Sequence, residues 1–297
     1  MRSLNASALV FVLAITLATP LAARRTGQNA DATVRASTQQ MIVPSHGSML
    51  LGIFYLAAGA GPHPTAVLFH GFPGFEQNLD IAQVLRAHGW NVLAMHYRGS
   101  WGVKGAFSFE HSAEDADTQV AFVLDTANAK KYRIDRSHVI VIGHSMGGYM
   151  AVSAAAHNKS VAAAVLISAW NIGETASKLT VGTNGPGAVA KLAKWLAEDH
   201  NLLPLATSAD ALAHEMYQRE AALNMNKLAP AIAPRPVFVI TANDGLATTD
   251  EAFLNALRRA GDTRLMQRHW NTDHSYSGER AELSQAVLEW SQKTLGQ

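Results

Sequence analysis

The chain has 297 residues, 48% hydrophobic and 16% charged, a composition that builds a sizeable core and excludes intrinsic disorder. Lys and Arg number 24 against 23 Asp and Glu, and a net charge of +1 argues against nucleic acid or an acidic polymer as partner. There is no cysteine, which excludes disulfides, thiolate metal ligands, a cysteine nucleophile and a lipid-modified cysteine.

The N-terminus reads as a secretory signal. Arg2 precedes an apolar run over residues 8–18, and small residues ending in Ala22 and Ala23 follow it. Cleavage is expected near these alanines, so that residues 1–23 form a signal peptide and the mature protein is periplasmic or secreted, without stable membrane insertion. The run falls short of the ~20 residues that span a bilayer, and an uncleaved N-terminal anchor is the alternative. Residues 24–37 are polar and aperiodic and read as a flexible lead-in; residues 38–297 carry the folded domain.

Within that domain, Gln40 to Val43 and Met49 to Leu56 flank a turn at Pro44 to Ser48, the pattern of an antiparallel hairpin. Strands are then expected at Thr65–His70 and Asn91–Tyr97, with a helix over 79–88 between them. A single helix is expected from Ser112 to Ala129, acidic at its start and followed by Lys130 and Lys131, which suits the helix dipole. Val139 to Ile142 is a β-branched run of a buried strand, an Ala-rich helix follows Met146, and Val161 to Ile167 is the next strand. Residues 171–230 contain helical pieces and no strand. Val237–Thr241 and Thr263–His269 resume the strand pattern, with helices over 250–260 and 281–295. The alternation predicts an α/β fold, a mostly parallel eight-stranded sheet flanked by helices, with residues 171–230 a helical insertion late in the sheet.

Gly143-His144-Ser145-Met146-Gly147 sits between strand and helix and fits G-x-S-x-G. A serine on this tight turn projects its hydroxyl from the sheet's end, next to a helix N-terminus that favours developing negative charge. In this setting the chain resembles the serine hydrolases of the α/β-hydrolase superfamily. The resemblance implies an α/β-hydrolase fold in which the helical insertion at 171–230 is a cap, and the chain order Ser, acid, His, with the acid after a late strand and the histidine after the last one. Asp244, directly behind Val237–Thr241, fits the acid, with Asp273 the runner-up. His274 fits the base; His269 is the near competitor among 13 histidines but falls on the expected strand. His70-Gly71-Phe72-Pro73-Gly74 resembles the family's H-G-x-P-G loop, so the backbone N–H groups of Phe72 and Met146 would form the oxyanion hole, since Pro73 has no N–H.

Trp101, Trp170 and Tyr149 are candidates for the substrate pocket. No cofactor or metal is implied, and the expected partner is a small-molecule ester. Arg98-Gly99-Ser100 and the Gly143–Met150 stretch look similar to the branch of dienelactone-hydrolase-like esterases and prolyl-oligopeptidase-like peptidases. The expected activity is cleavage of small to medium carboxylic esters through an acyl-enzyme on Ser145. An exported peptidase or acylpeptidase using the same triad, and a non-catalytic binding protein on the same fold, remain alternatives.

Overall fold

The computed structural model describes residues 34–296, so the expected signal peptide and most of the lead-in lie outside the described residues. The chain enters a hairpin of β1 (Ser37–Ser45) and β2 (Ser48–Leu56), turned through His46 and Gly47, both at positive φ. Next come β3 (His63–Phe69), α1 (Leu79–Ala87), β4 (Asn91–Met95), α2 (Phe109–Leu124) and α3 (Thr126–Tyr132). β5 (Ile134–His144) runs straight into α4 (Met146–His157), followed by β6 (Ala163–Ile167). The stretch without strands folds into α5 (Ile172–Thr180), α6 (Gly185–Asp199), α7 (Ala209–Gln218), a short 3-10 turn and α8 (Ala229–Ile232). β7 (Val237–Thr241), α9 (Ala247–Arg259), β8 (Leu265–His269) and α10 (Arg280–Leu295) complete the chain.

All eight strands form one sheet in the order β1-β2-β4-β3-β5-β6-β7-β8, parallel from β4 onward. Alternate residues of each central strand face opposite layers. Val67, Phe69, Val139 and Val141 pack against α2, α4 and α9, while Ala66, Leu68, Ile140 and Ile142 pack against α1 and α10. Both faces are buried, which is why these strands read as unbroken apolar runs. After β3 the chain crosses to β4 on one side and returns to β5 on the other. The carboxyl ends of β3 and β5 therefore meet at a topological switch point, where α/β sheets leave a crevice for ligands.

The helix expected over 112–129 is in fact two. Asp125 leaves the helical conformation at ψ 136°, and its carboxylate accepts the Asn128 N–H at 2.9 Å, capping α3 in its own right. The segment between β6 and β7 is tied to the loop after β4 by backbone bonds. Trp101 N–H donates to the Pro204 carbonyl at 2.9 Å and Ala206 N–H to Gly99 at 2.7 Å. Among the described residues no helix is long and apolar enough to cross a membrane.

One buried group is out of balance with its surroundings. Asp250, in the first turn of α9, is fully buried, and neither carboxyl oxygen has a hydrogen-bond partner among the described residues. Burial, reinforced by the negative charges of Asp244 and Glu174, pushes its pKa well above the ordinary carboxylate value. The folded chain therefore keeps a proton that the unfolded chain releases, and stability falls as pH rises above the unfolded carboxyl's range. Asp250→Asn, which cannot ionise, is expected to melt several degrees above wild type at pH 8–9. That advantage should shrink towards pH 4, as thermal melts across pH will show.

Candidate active site

Ser145 links β5 to α4 at φ 58° and ψ −123°, a conformation that costs roughly 1–3 kcal/mol for a residue with a side chain. Three backbone bonds hold it there. Its N–H donates to Ile167 at 2.9 Å, and its carbonyl accepts from Gly148 at 2.9 Å and Trp170 at 2.8 Å. The two motif glycines answer a packing demand. A methyl on Gly143 would lie 1.9 Å from the Gly147 carbonyl oxygen, and one on Gly147 would lie 2.1 Å from the Phe69 carbonyl oxygen. The elbow exists because β3, β5 and α4 approach at backbone distance.

His274 Nδ1 lies 2.8 Å from Asp244 Oδ2, with the carboxylate almost fully buried and the imidazole about two-fifths exposed. Asp244 Oδ1 accepts the Leu246 N–H at 3.0 Å. Burial pushes the Asp244 pKa up, but hydrogen bonds from His274, Ser168 and Leu246 outweigh it and hold the carboxyl below its usual range. Ser168 in turn shares a 2.9 Å hydrogen bond with the Tyr276 hydroxyl. Asp273 turns away from His274; it accepts the Ser277 N–H at 2.9 Å and organises a local turn. His269 stays on β8, bonded to Thr241 at 2.8 Å and Asn243 at 3.0 Å.

The loop after β3 is tied down carbonyl by carbonyl. Tyr97 donates its hydroxyl to the His70 carbonyl at 3.1 Å, the His70 ring bonds the Gly71 carbonyl at 2.8 Å, and Trp101 Nε1–H reaches Pro73 at 2.8 Å. Burial, with the neighbouring His96 ring, lowers the His70 pKa to about 3, so the ring is neutral. Its Nδ1–H then donates to Gly71 and its Nε2 accepts from His96 at 3.2 Å. The Phe72 and Met146 N–H groups have no acceptor among the described residues. Gly71 brings this loop onto Ser145, since a methyl there would sit 2.9 Å from Ser145 Cβ.

A second histidine steadies His274. His144 Nε2–H donates to the His274 carbonyl at 2.8 Å, and the two rings lie 4.7 Å apart. Burial, with the His274 ring beside it, lowers the His144 pKa to about 3, which keeps it a neutral donor. Its place as the x before serine singles out the position, but nothing local to the sequence indicates the partner 130 residues on.

Ser145, Asp244, His274 and Phe72 line one cavity of about 430 Å³, together with Trp170, Trp195 and His200. Of the three pocket candidates, only Trp170 lies on it. Trp101 stands behind the Phe72 loop, fixed through Pro73 and edge-on to Phe75, in a turn anchored by the buried Arg98–Asp115 pair at 2.8 Å. Tyr149 lies on α4 and points the other way. Its hydroxyl donates to the Ala222 carbonyl at 3.0 Å, and it lines a separate hollow of about 270 Å³ beside Glu114 and Asp117. A residue four places along a helix from the nucleophile faces nearly the same side as the nucleophile's own helix start, but here α2 and the segment after α7 cover it.

The profile of the alpha/beta hydrolase family matches residues 66–291. A cutinase of Thermobifida fusca is 24% identical over 220 residues, spanning 68% of this chain and 71% of the cutinase. Est1E of Butyrivibrio proteoclasticus, solved with ferulic acid bound, superposes with a TM-score of 0.67 at 15% identity, covering 86% of this chain and all of that one. An acylaminoacyl peptidase of Pyrococcus horikoshii gives a TM-score of 0.66 at 16% identity, over 89% of this chain and 42% of that one. The two structural likenesses are likenesses of fold.

The close approach at the elbow is testable without an assay of activity. Gly147→Ala is expected to cost at least ~3 kcal/mol, because the added methyl meets backbone that cannot move aside. Gly187→Ala on α6, where the methyl meets open space, should instead gain ~0.5–1 kcal/mol. Urea midpoints of the two variants give both values.

Proposed function

We propose that this chain, which belongs to the alpha/beta hydrolase family, is a serine hydrolase that cleaves small to medium carboxylic esters through an acyl-enzyme on Ser145. The observation that carries the reading is the convergence of Ser145, the Asp244–His274 pair and the unpaired Phe72 N–H on one cavity. In this reading His274 Nε2 takes the serine proton as Oγ attacks the ester carbonyl carbon. The 2.8 Å bond from Nδ1–H to Asp244 fixes the tautomer and stabilises the imidazolium. The negative oxygen of the tetrahedral adduct is bound by the Phe72 and Met146 N–H groups. Collapse expels the alcohol, which receives its proton from His274. Water then repeats the sequence on the acyl-serine and releases the acid.

The cutinase relative supports an ester over an amide, and the likeness to an acylaminoacyl peptidase keeps amide cleavage as the second reading. A comparison of p-nitrophenyl esters with aminoacyl anilides separates the two, and higher turnover of anilides would overturn the ester reading. Export is part of the proposal, on the strength of Arg2 and the apolar run at residues 8–18. N-terminal sequencing of the protein recovered outside the cytoplasm tests it.

Ser145→Ala should reduce p-nitrophenyl butyrate hydrolysis by ~10⁶-fold and abolish labelling by a fluorophosphonate, with Asp244→Asn losing ~10⁴-fold in kcat. A Ser145→Ala variant that keeps its esterase activity would refute the mechanism. His144→Ala should lower kcat by ~10²-fold with little change in KM, because it loosens the backbone that carries the base. Gln at 144, which presents an N–H near the position of Nε2, should restore part of that loss; equal kcat in wild type and His144→Ala would remove the positioning role.

A further inference from the structure

The cavity beside Ser145 has one wall made almost wholly of aromatic rings. Phe72 lies 5.8 Å from Trp170 and 5.1 Å from His200, centroid to centroid. Trp195 lies 5.8 Å from Trp170 and 4.8 Å from His200, and the Trp170 and His200 rings are near parallel at 6.2 Å. Every ring touches at least two of the others. These four are packed together and offer a continuous surface of ring faces and edges.

The wall begins at the reacting atoms. Phe72 carries one of the unpaired N–H groups on its own backbone, and the Trp170 N–H donates to the Ser145 carbonyl at 2.8 Å. In a tetrahedral adduct on Ser145, one oxygen faces the Phe72 and Met146 N–H groups and the leaving oxygen must reach His274. The remaining substituent on carbon is the acyl chain, which is the one left free to lie against the wall. The wall itself is uncharged: burial holds His200 below the ordinary histidine range, so its ring is neutral at neutral pH. Asp199 and Asp244 place two carboxylates on the cavity, and both disfavour an acid portion that carries a free carboxylate.

We infer that, on the esterase reading above, the site selects esters of acids bearing an uncharged aromatic ring a few bonds from the carboxyl, over aliphatic acids of equal size. Phe72, Trp170, Trp195 and His200 are the specificity surface. A saturated ring gains from burial alone, whereas an aromatic ring adds edge-to-face and offset-stacked contacts with the wall. That addition corresponds to a preference of roughly two- to tenfold.

The experiment compares p-nitrophenyl 3-phenylpropanoate with p-nitrophenyl 3-cyclohexylpropanoate on the wild-type protein. The two share a leaving group, and two methylenes insulate the carbonyl from the ring. The cyclohexyl ester buries at least as much apolar area, so hydrophobicity alone would favour it. We expect kcat/KM to be two- to tenfold higher for the phenyl ester, and the ratio to fall towards one in Trp170→Leu and in Trp195→Leu. A wild-type ratio of one or less, with p-nitrophenyl butyrate still turned over, overturns the aryl preference and leaves the esterase reading intact. Failure to turn over the butyrate as well overturns the esterase reading. Faster cleavage of butyrylcholine than of 3,3-dimethylbutyl butyrate, its uncharged isostere, would show that the wall acts as a cation site and would also overturn the inference.

Discussion

The contact on which this structure turns is the meeting of the Gly147 backbone with the end of β3. No side chain fits between them, since a methyl on Gly147 would come within 2.1 Å of the Phe69 carbonyl. That approach bends the chain sharply from β5 into α4 and holds Ser145 at a φ that side chains seldom adopt. It also sets the distance from Ser145 to the loop after β3, which carries the Phe72 N–H. One steric constraint thus brings together the two groups to which the proposed mechanism assigns attack and oxyanion binding.

Around that contact the polar groups are held by hydrogen bonds from neutral histidines. His70 and His144 are buried so deeply that neither carries a proton charge at physiological pH, and each spends one N–H on a main-chain carbonyl. His70 fixes the loop that carries Phe72, and His144 fixes the backbone of His274. On the proposed mechanism, a charged ring at His144 would bring a cation next to His274, which must itself become positive during reaction. Asp244 is stabilised from the opposite direction, by donors that favour its ionised form despite burial. The site therefore separates its charges by environment, with neutral scaffolding rings on one side and an ionised acid on the other.

The helical segment between β6 and β7 contributes Trp195 and His200 to the cavity, and its next loop is stitched to the turn after β4 through Pro204 and Ala206. That turn is anchored by the buried Arg98–Asp115 pair and presents Trp101 to Pro73. The inserted helices and the loop after β3 consequently share one support, and a change at Arg98 would be felt at both. Trp101 acts in this layer, behind the cavity wall.

Local pattern was enough to read the strand and helix alternation, because both faces of the central strands are buried and their apolar runs are unbroken. It was enough to find the turn at Ser145, since glycine at 143 and 147 between a β-branched strand and an Ala-rich helix suits little else. The break at Asp125 escaped, because a capping carboxylate inside a helical pattern looks like another solvent-facing charge. What the sequence alone left open was partnership. Asp244 and Asp273 were both near enough in order to serve His274, and only the return of β7 beside β8 brings Asp244 to Nδ1 while Asp273 closes its own turn. Likewise the pairing of His144 with the His274 carbonyl, the direction of Tyr149 and the joining of Phe72, Trp170, Trp195 and His200 into one wall depend on which elements pack together. Periodicity along a chain records which residues are buried; the groups they meet are decided by contacts between segments far apart in sequence.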